Sequence, residues 1–119
     1  MKISEIAEAA GTSTSRIRFY EKRGLIPAAK RSGNGYRDYS GDVVDRLRFI
    51  EQAQSLGFTL REIAEAKPRP GLHRVTCDQI IPLLEEKCRV VSGQIAEAEN
   101  RKQKILSLLE TLQAASRGV

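Results

Sequence analysis

The sequence predicts a mainly α-helical chain with one small β-hairpin and one very long helix near its end. Three observations carry this. Short apolar stripes at helical spacing occupy residues 3–66 and are punctuated by Gly11, Gly24 and Gly57. Gly33-Asn34-Gly35 is a hairpin signal, because Asn and Gly both tolerate positive φ. From Ile81 onward, Ile81, Leu84, Cys88, Val91, Ile95, Ala98, Lys102, Ile105, Leu109 and Leu112 follow each other in alternating steps of three and four, with Lys102 the one charged member.

The elements follow in order. The first helix is expected over Ser4 to Ala10, with Ser4 as N-cap and Ile3, Ile6, Ala7 and Ala10 on one face. Gly11 stops it. Ser13 caps a second helix over Thr14 to Lys22, with Ile17 and either Phe19 or Tyr20 inward. Gly24 stands where glycine is favoured after a helix. Two short helices around a glycine turn make a helix-turn-helix. Gly24-Leu25-Ile26-Pro27 reads as a turn and short edge strand, and Tyr36 to Tyr39 as the return strand of the hairpin. Ser40 caps a third helix from Gly41 to Leu56 with Val43, Val44, Leu47, Ile50 and Ala53 buried. Thr59 and Glu62 form a capping box that opens a fourth helix, to about Ala66. Two prolines and a glycine in Lys67-Pro68-Arg69-Pro70-Gly71 exclude a continuous helix there. The expected organisation is a head over 1–70, a linker over 71–79, a long helix over 80–114 and a tail over 115–119. Pro82 conflicts with a helix beginning at Cys77 under a Thr76/Gln79 capping box. Either Asp78 is the cap or the first turns are bent.

Charge distribution points to a partner. Between Thr12 and Arg37 stand seven cations, Arg16, Arg18, Lys22, Arg23, Lys30, Arg31 and Arg37, against the single acid Glu21, a net +6 in a chain of +5 overall. A basic stripe on an otherwise balanced protein marks a polyanion site, and its interleaving with aromatic residues in a helix-turn-helix favours nucleic acid over a merely solvated face. A long helix with an apolar seam needs a second copy to cover it, so a homodimer is expected. No apolar run is long enough for a bilayer, no signal-peptide core opens the chain, and a cytoplasmic protein with free thiols is expected.

The run I-S-E-I-A-E-A-A-G-T-S-T-S-R-I-R-F-Y-E-K-R-G-L-I-P, the N-G-Y-R-D-Y hairpin, the block L-R-F-I-E-Q-A-Q-S-L-G-F-T-L-R-E-I and the long last helix together resemble MerR-family transcription regulators. The resemblance implies a winged helix-turn-helix domain followed by an antiparallel coiled-coil dimerisation helix. It also implies binding as a homodimer to a pseudo-palindrome in double-stranded promoter DNA, which is bent and untwisted for RNA polymerase. On this reading Thr14, Ser15 and Arg16 lie near base edges in the major groove. Arg18 and Tyr20 match phosphate contacts, with a core role for Tyr20 as the alternative. Arg31, Asn34, Tyr36 and Arg37 belong to the wing on the backbone, and Arg61 joins them from the second capping box.

Many members sense a metal, an oxidant or a drug near the start of the dimer helix. Cys77 stands where metal-sensing members place a cysteine, and a helix N-terminus stabilises a thiolate, the soft-metal ligand and redox nucleophile. Those members also carry cysteines in a loop beyond the long helix, and the sequence reaches Val119 without one, so a paired-cysteine site is incomplete. Cys88 lies about 16 Å further along a helix, too far to share a metal with Cys77, and reads as a small seam hydrophobe. His73 falls in the loop. Cys77 is thus the one metal or effector candidate, and DNA binding itself requires no cofactor. The length leaves no room for a large drug-binding domain. A coiled-coil interaction protein with a nonspecific DNA anchor is the alternative. An enzyme is not expected, since there is one histidine and no acid–base constellation.

Overall fold

The computed structural model describes residues 1–31, 33 and 35–118. It comprises α1 (Ile3–Ala10), α2 (Thr14–Lys22), β1 (Lys30–Arg31), β2 (Arg37–Asp38), α3 (Asp42–Ser55), α4 (Leu60–Glu65) and α5 (Cys77–Ser116). Two compact units result, Met1–Ile80 and Ile81–Val119.

In the first unit, α1 opens one residue earlier than its sequence suggests. Lys2, not Ser4, is the N-cap, because the Glu5 carboxylate reaches back to the Lys2 amide at 2.8 Å. Gly11 closes α1 at φ 69°, and the next amide, Thr12, bonds the Ala7 carbonyl at 3.0 Å. The chain then re-enters a helix at once. Ser13 Oγ accepts from the Arg16 amide at 3.2 Å and starts α2. Gly24, at φ 73°, lets Leu25 N donate to Tyr20 O at 2.9 Å and turns the chain away.

Leu25 and Ile26 are not a strand. They form a bend and bury both side chains in the core. The hairpin begins later, pairing Lys30 with Asp38 and Arg31 with Arg37 in antiparallel register. Its return strand is Arg37–Asp38 alone; Tyr36 stays outside the ladder and Tyr39 dives into the core at 2% exposure. Asn34, expected at the turn and on the backbone, lies outside the described residues.

Ser40 Oγ accepts from the Asp42 amide at 3.3 Å, and α3 carries Val43, Leu47, Ile50 and Ala53 inward. Helix α3 packs on α1 and α4. The predicted Thr59/Glu62 capping box opens α4. Ile6, Ile17, Ile50 and Ile63, one from each helix of the head, are at most 2% exposed and meet Tyr39 and Val43. Each such isoleucine removed from water contributes roughly 1.5–3 kcal/mol before entropy is counted.

Helix α5 starts at Cys77. The Gln79 side chain accepts from the Thr76 amide at 3.0 Å, which settles Thr76 over Asp78 as the residue before the first turn. Pro82 sits within the helix and denies the Asp78 carbonyl its intrahelical donor. In the second unit the helix buries none of its side chains: Ile81, Ile95, Ile105, Leu109 and Leu112 are 47–64% exposed. Leu83, Val90, Leu106 and Leu108 are exposed beside that seam, so the apolar stripe is wider than the heptad positions alone. No described helix is long and apolar enough to cross a membrane.

Candidate nucleic-acid interface

Helix α2 is oriented by what it buries. Ile17 and Tyr20 face the core, so at about 100° per residue the opposite side is built from Ser15, Arg18, Phe19 and Lys22. All four are exposed, and no acid stands among them. Arg16 is exposed at the flank, lining a small cleft with Gly11, Thr12 and Gln54, while Thr14 is half-buried. The predicted reading residues therefore do not share one face. Of the three expected base readers Ser15 is central, while Thr14 and Arg16 are peripheral; Arg18, expected on a phosphate, stands on the outward face beside Ser15.

Tyr20 is a correction. The ring is 5% exposed in the core and its hydroxyl donates to Gln54 Oε1 of α3 at 3.2 Å. A buried, satisfied phenol is not available to a phosphate; its role is to hold α2 against α3. The neighbouring aromatic takes the outer position instead. Phe19 is 42% exposed, with the Arg23 guanidinium stacked 4.9 Å from its ring centre. Phe19 and Lys22 are the residues that sequence reasoning missed on this face. The phase set by Ile17 would have found them once Tyr20 was fixed as the inward aromatic.

The wing supplies a second basic element. Arg31, Tyr36 and Arg37 are exposed, and Lys2 Nζ approaches the Tyr36 ring centre at 5.6 Å. Arg37 also faces inward electrostatically, with Nη1 3.6 Å from Glu21 Oε2. Arg61 is exposed in the first turn of α4, an element separate from helix and wing.

A different arginine holds the head together. Half-buried Arg46 of α3 donates from Nε to Leu25 O at 3.0 Å, from Nη1 to Ala66 O at 2.8 Å and from Nη2 to Ile63 O at 3.1 Å. It thereby ties the bend after α2 and the carbonyl end of α4 to one helix. Cations are favoured at helix C-termini, and burial pulls the guanidinium below its ordinary value without discharging it near neutrality.

Polar and ionic contacts to α3 hold the segment before Cys77. His73 Nδ1 lies 2.8 Å from Asp42 Oδ2, and Arg74 Nη2 2.9 Å from Asp45 Oδ2, both on α3. Arg69 donates to Thr76 Oγ1 at 3.2 Å and to Asp78 Oδ2 at 2.6 Å. The Arg69 hydrogen bond, with a second from Thr76, brings the Asp78 carboxyl down to about 2. Cys77 and Cys88 are both exposed thiols. Among the described residues no three His, Cys, Asp or Glu side chains converge to hold a metal. Cys77 thus contributes one sulfur donor with no converging partner among the described residues, and that alone does not complete a metal site.

Paired short helices, an outward basic helix face and an arginine-bearing hairpin define a winged helix-turn-helix DNA-binding head. Residues 1–69 match the family described as MerR HTH family regulatory protein, and residues 44–113 match the one described as MerR, DNA binding. The mercuric resistance operon regulatory protein of Bacillus cereus is 52% identical over 109 residues, covering 92% of this chain and 83% of that protein. The HTH-type transcriptional regulator CueR of Salmonella typhimurium is 32% identical over 111 residues, covering 93% and 80%. Among solved structures, the transcription regulator PbrR691 of Ralstonia metallidurans CH34 in complex with lead(II) aligns with TM-score 0.72 at 28% identity, over 91% of this chain and 84% of that one. HiNmlR, a MerR-family regulator lacking the sensor domain and bound to promoter DNA, aligns with TM-score 0.57 at 27% identity, over 84% and 76%. The chain belongs to the MerR family and is a DNA-binding transcription regulator.

Proposed function

We propose that this regulator works as a homodimer joined through α5, placing two heads on a promoter pseudo-palindrome and distorting it for RNA polymerase in the cytoplasm. The observation that carries this is the pairing of two unsatisfied surfaces. One is the exposed basic face of α2 with its wing, and the other is the apolar stripe of Ile81, Ile95, Ile105, Leu109 and Leu112. Exposed leucine and isoleucine along a whole helix favour a second copy, whose burial of that stripe removes it from water. The coiled-coil seam would then also take in Leu84, Cys88, Val91 and Ala98.

Helix α2 enters the major groove on this reading, with Ser15, Phe19 and Lys22 toward the base edges, Arg18 on a phosphate and Thr14 and Arg16 at the margins. Arg31, Asn34, Tyr36, Arg37 and Arg61 hold the backbone. Cys77 is the residue through which a thiophilic metal ion or an oxidant acts, contributing one thiolate; the relatives whose names refer to mercury resistance and to lead(II) favour a metal. The test is affinity for the chain's own upstream DNA against random DNA at matched salt, with and without mercuric, cuprous and lead ions. Wild type is expected to prefer its own DNA by 10³ or more and to respond to one of the ions, with Cys77→Ser losing the response alone. Equal affinity for both DNAs removes the regulator reading in favour of a nonspecific anchor, and an unchanged response in Cys77→Ser removes the thiol.

A further inference from the structure

Glu21 is the single acid in the basic stretch from Thr12 to Arg37. Pointed outward, a carboxylate there would repel phosphate. It is instead only 11% exposed, in the last turn of α2, and its two oxygens are taken up by the wing. Oε2 accepts from the Tyr39 hydroxyl at 2.5 Å and lies 3.6 Å from Arg37 Nη1. Oε1 accepts from the Ala29 amide at 3.3 Å. Ala29 precedes β1, Arg37 is within β2 and Tyr39 follows it. Both ends of the hairpin therefore converge on one side chain of the helix that reads the groove.

We propose that Glu21 is a positioning residue for DNA binding: its carboxylate sets where the wing stands relative to α2, and so fixes the pose in which Arg37 and Arg31 meet the sugar–phosphate backbone. A two-stranded ribbon with two residues in each strand has little rigidity of its own. Its placement must come from contacts at its base: Glu21, the buried Tyr39 ring, and the Met1 amino group, which reaches Asp38 Oδ1 at 2.6 Å and the Tyr39 carbonyl at 2.8 Å. Of these, Glu21 alone ties the hairpin to α2. The Tyr39 hydroxyl is a donor at neutral pH, and burial, then the neighbouring Glu21, push its ionisation above the ordinary range. The inference rests on the wing touching DNA.

The experiment uses the full chain, its own upstream DNA and a random duplex of equal length. Salt titrations are run on wild type, Glu21→Gln, Arg37→Ala and the double variant. A carboxylate that merely sits near DNA repels it, so Glu21→Gln would then tighten binding. Positioning predicts the opposite. Glu21→Gln weakens binding about tenfold, near 1.4 kcal/mol, and lowers the salt slope by about one per wing. It leaves the preference for own over random DNA in place. In the double variant the two losses add to less than their sum, since part of the effect of Glu21 passes through Arg37. Tyr39→Phe, which deletes only the hydroxyl, gives a smaller loss in the same direction and keeps the test open should Glu21→Gln fail to fold. An ultraviolet phenolate titration adds a separate signature, with Tyr39 ionising at lower pH in Glu21→Gln than in wild type. Equal or tighter binding by folded Glu21→Gln, or by Tyr39→Phe in its place, overturns the positioning role while Arg37→Ala still lowers the slope. An Arg37→Ala variant with the wild-type slope takes the wing off the duplex and overturns both readings.

Discussion

Replacing Arg46 by lysine separates charge from geometry in the head. The guanidinium bonds three carbonyls, Leu25 O, Ala66 O and Ile63 O, at 2.8–3.1 Å. A lysine ammonium is one point donor on a flexible stem and reaches one of these sites, so two carbonyls lose their partner. Net bonds of this kind contribute about 1 kcal/mol each where water can partly replace them. The stack of the guanidinium on Phe49, 5.0 Å from the ring centre, weakens as well. The expected loss is about 2 kcal/mol. With a urea slope of roughly 1–2 kcal/mol/M, the midpoint falls by about 1–2 M. Circular dichroism at fixed protein concentration is the assay, because the proposed dimer would make stability concentration-dependent. Net charge is unchanged, so the DNA salt slope should stay at the wild-type value. A midpoint within about 0.3 M of wild type, against that same slope range, refutes the reasoning that these bonds tie the bend after α2 and the end of α4 to α3.

Other outcomes follow from the same geometry. Asp78 is held at about 2 against its ordinary 3.8, so the folded state favours its charged form. Its contribution is complete above the ordinary value and is lost as pH falls through about 2; an NMR titration of the Asp78 carboxyl should show this, with the midpoint rising in Arg69→Ala. Ile50→Ala, at a position with no exposure, should cost about 2–5 kcal/mol of unfolding free energy in urea. Arg18→Ala should weaken binding to all duplexes alike and reduce the salt slope by about one per head, read by fluorescence anisotropy.

Some caps were readable because each is a local device, although Lys2 replaced Ser4 before α1 and Gly41, not Ser40, stands directly before α3. Ser13, Gly24 and the Thr59/Glu62 pair do in the structure what their side chains suggest in isolation. Reading failed where two residues satisfied the same local rule. Phe19 and Tyr20 are adjacent aromatics, and either fits an inward phase; the choice is made by Gln54 of α3, 34 positions away. Leu25-Ile26 fits a strand or a bend equally, and Arg46 reaching back to the Leu25 carbonyl helps hold the bend. Glu21 and Arg46 were passed over because charged residues in amphipathic helices default to solvent. Their inward roles depend on partners 8–21 residues distant, which no periodicity encodes. The α5 helix was legible from its spacing; the exposed apolar side chains beside the expected seam positions, Leu83, Val90, Leu106 and Leu108, were not.

Hydroxyl-radical footprinting of the chain's own upstream DNA is the most direct test that α2 and the wing form a paired sequence-reading surface. Two symmetric protected segments should appear about one helical turn, or a multiple of it, apart, and both should fade together in Arg18→Ala. Uniform weak protection along the duplex, unaffected by that substitution, would contradict it.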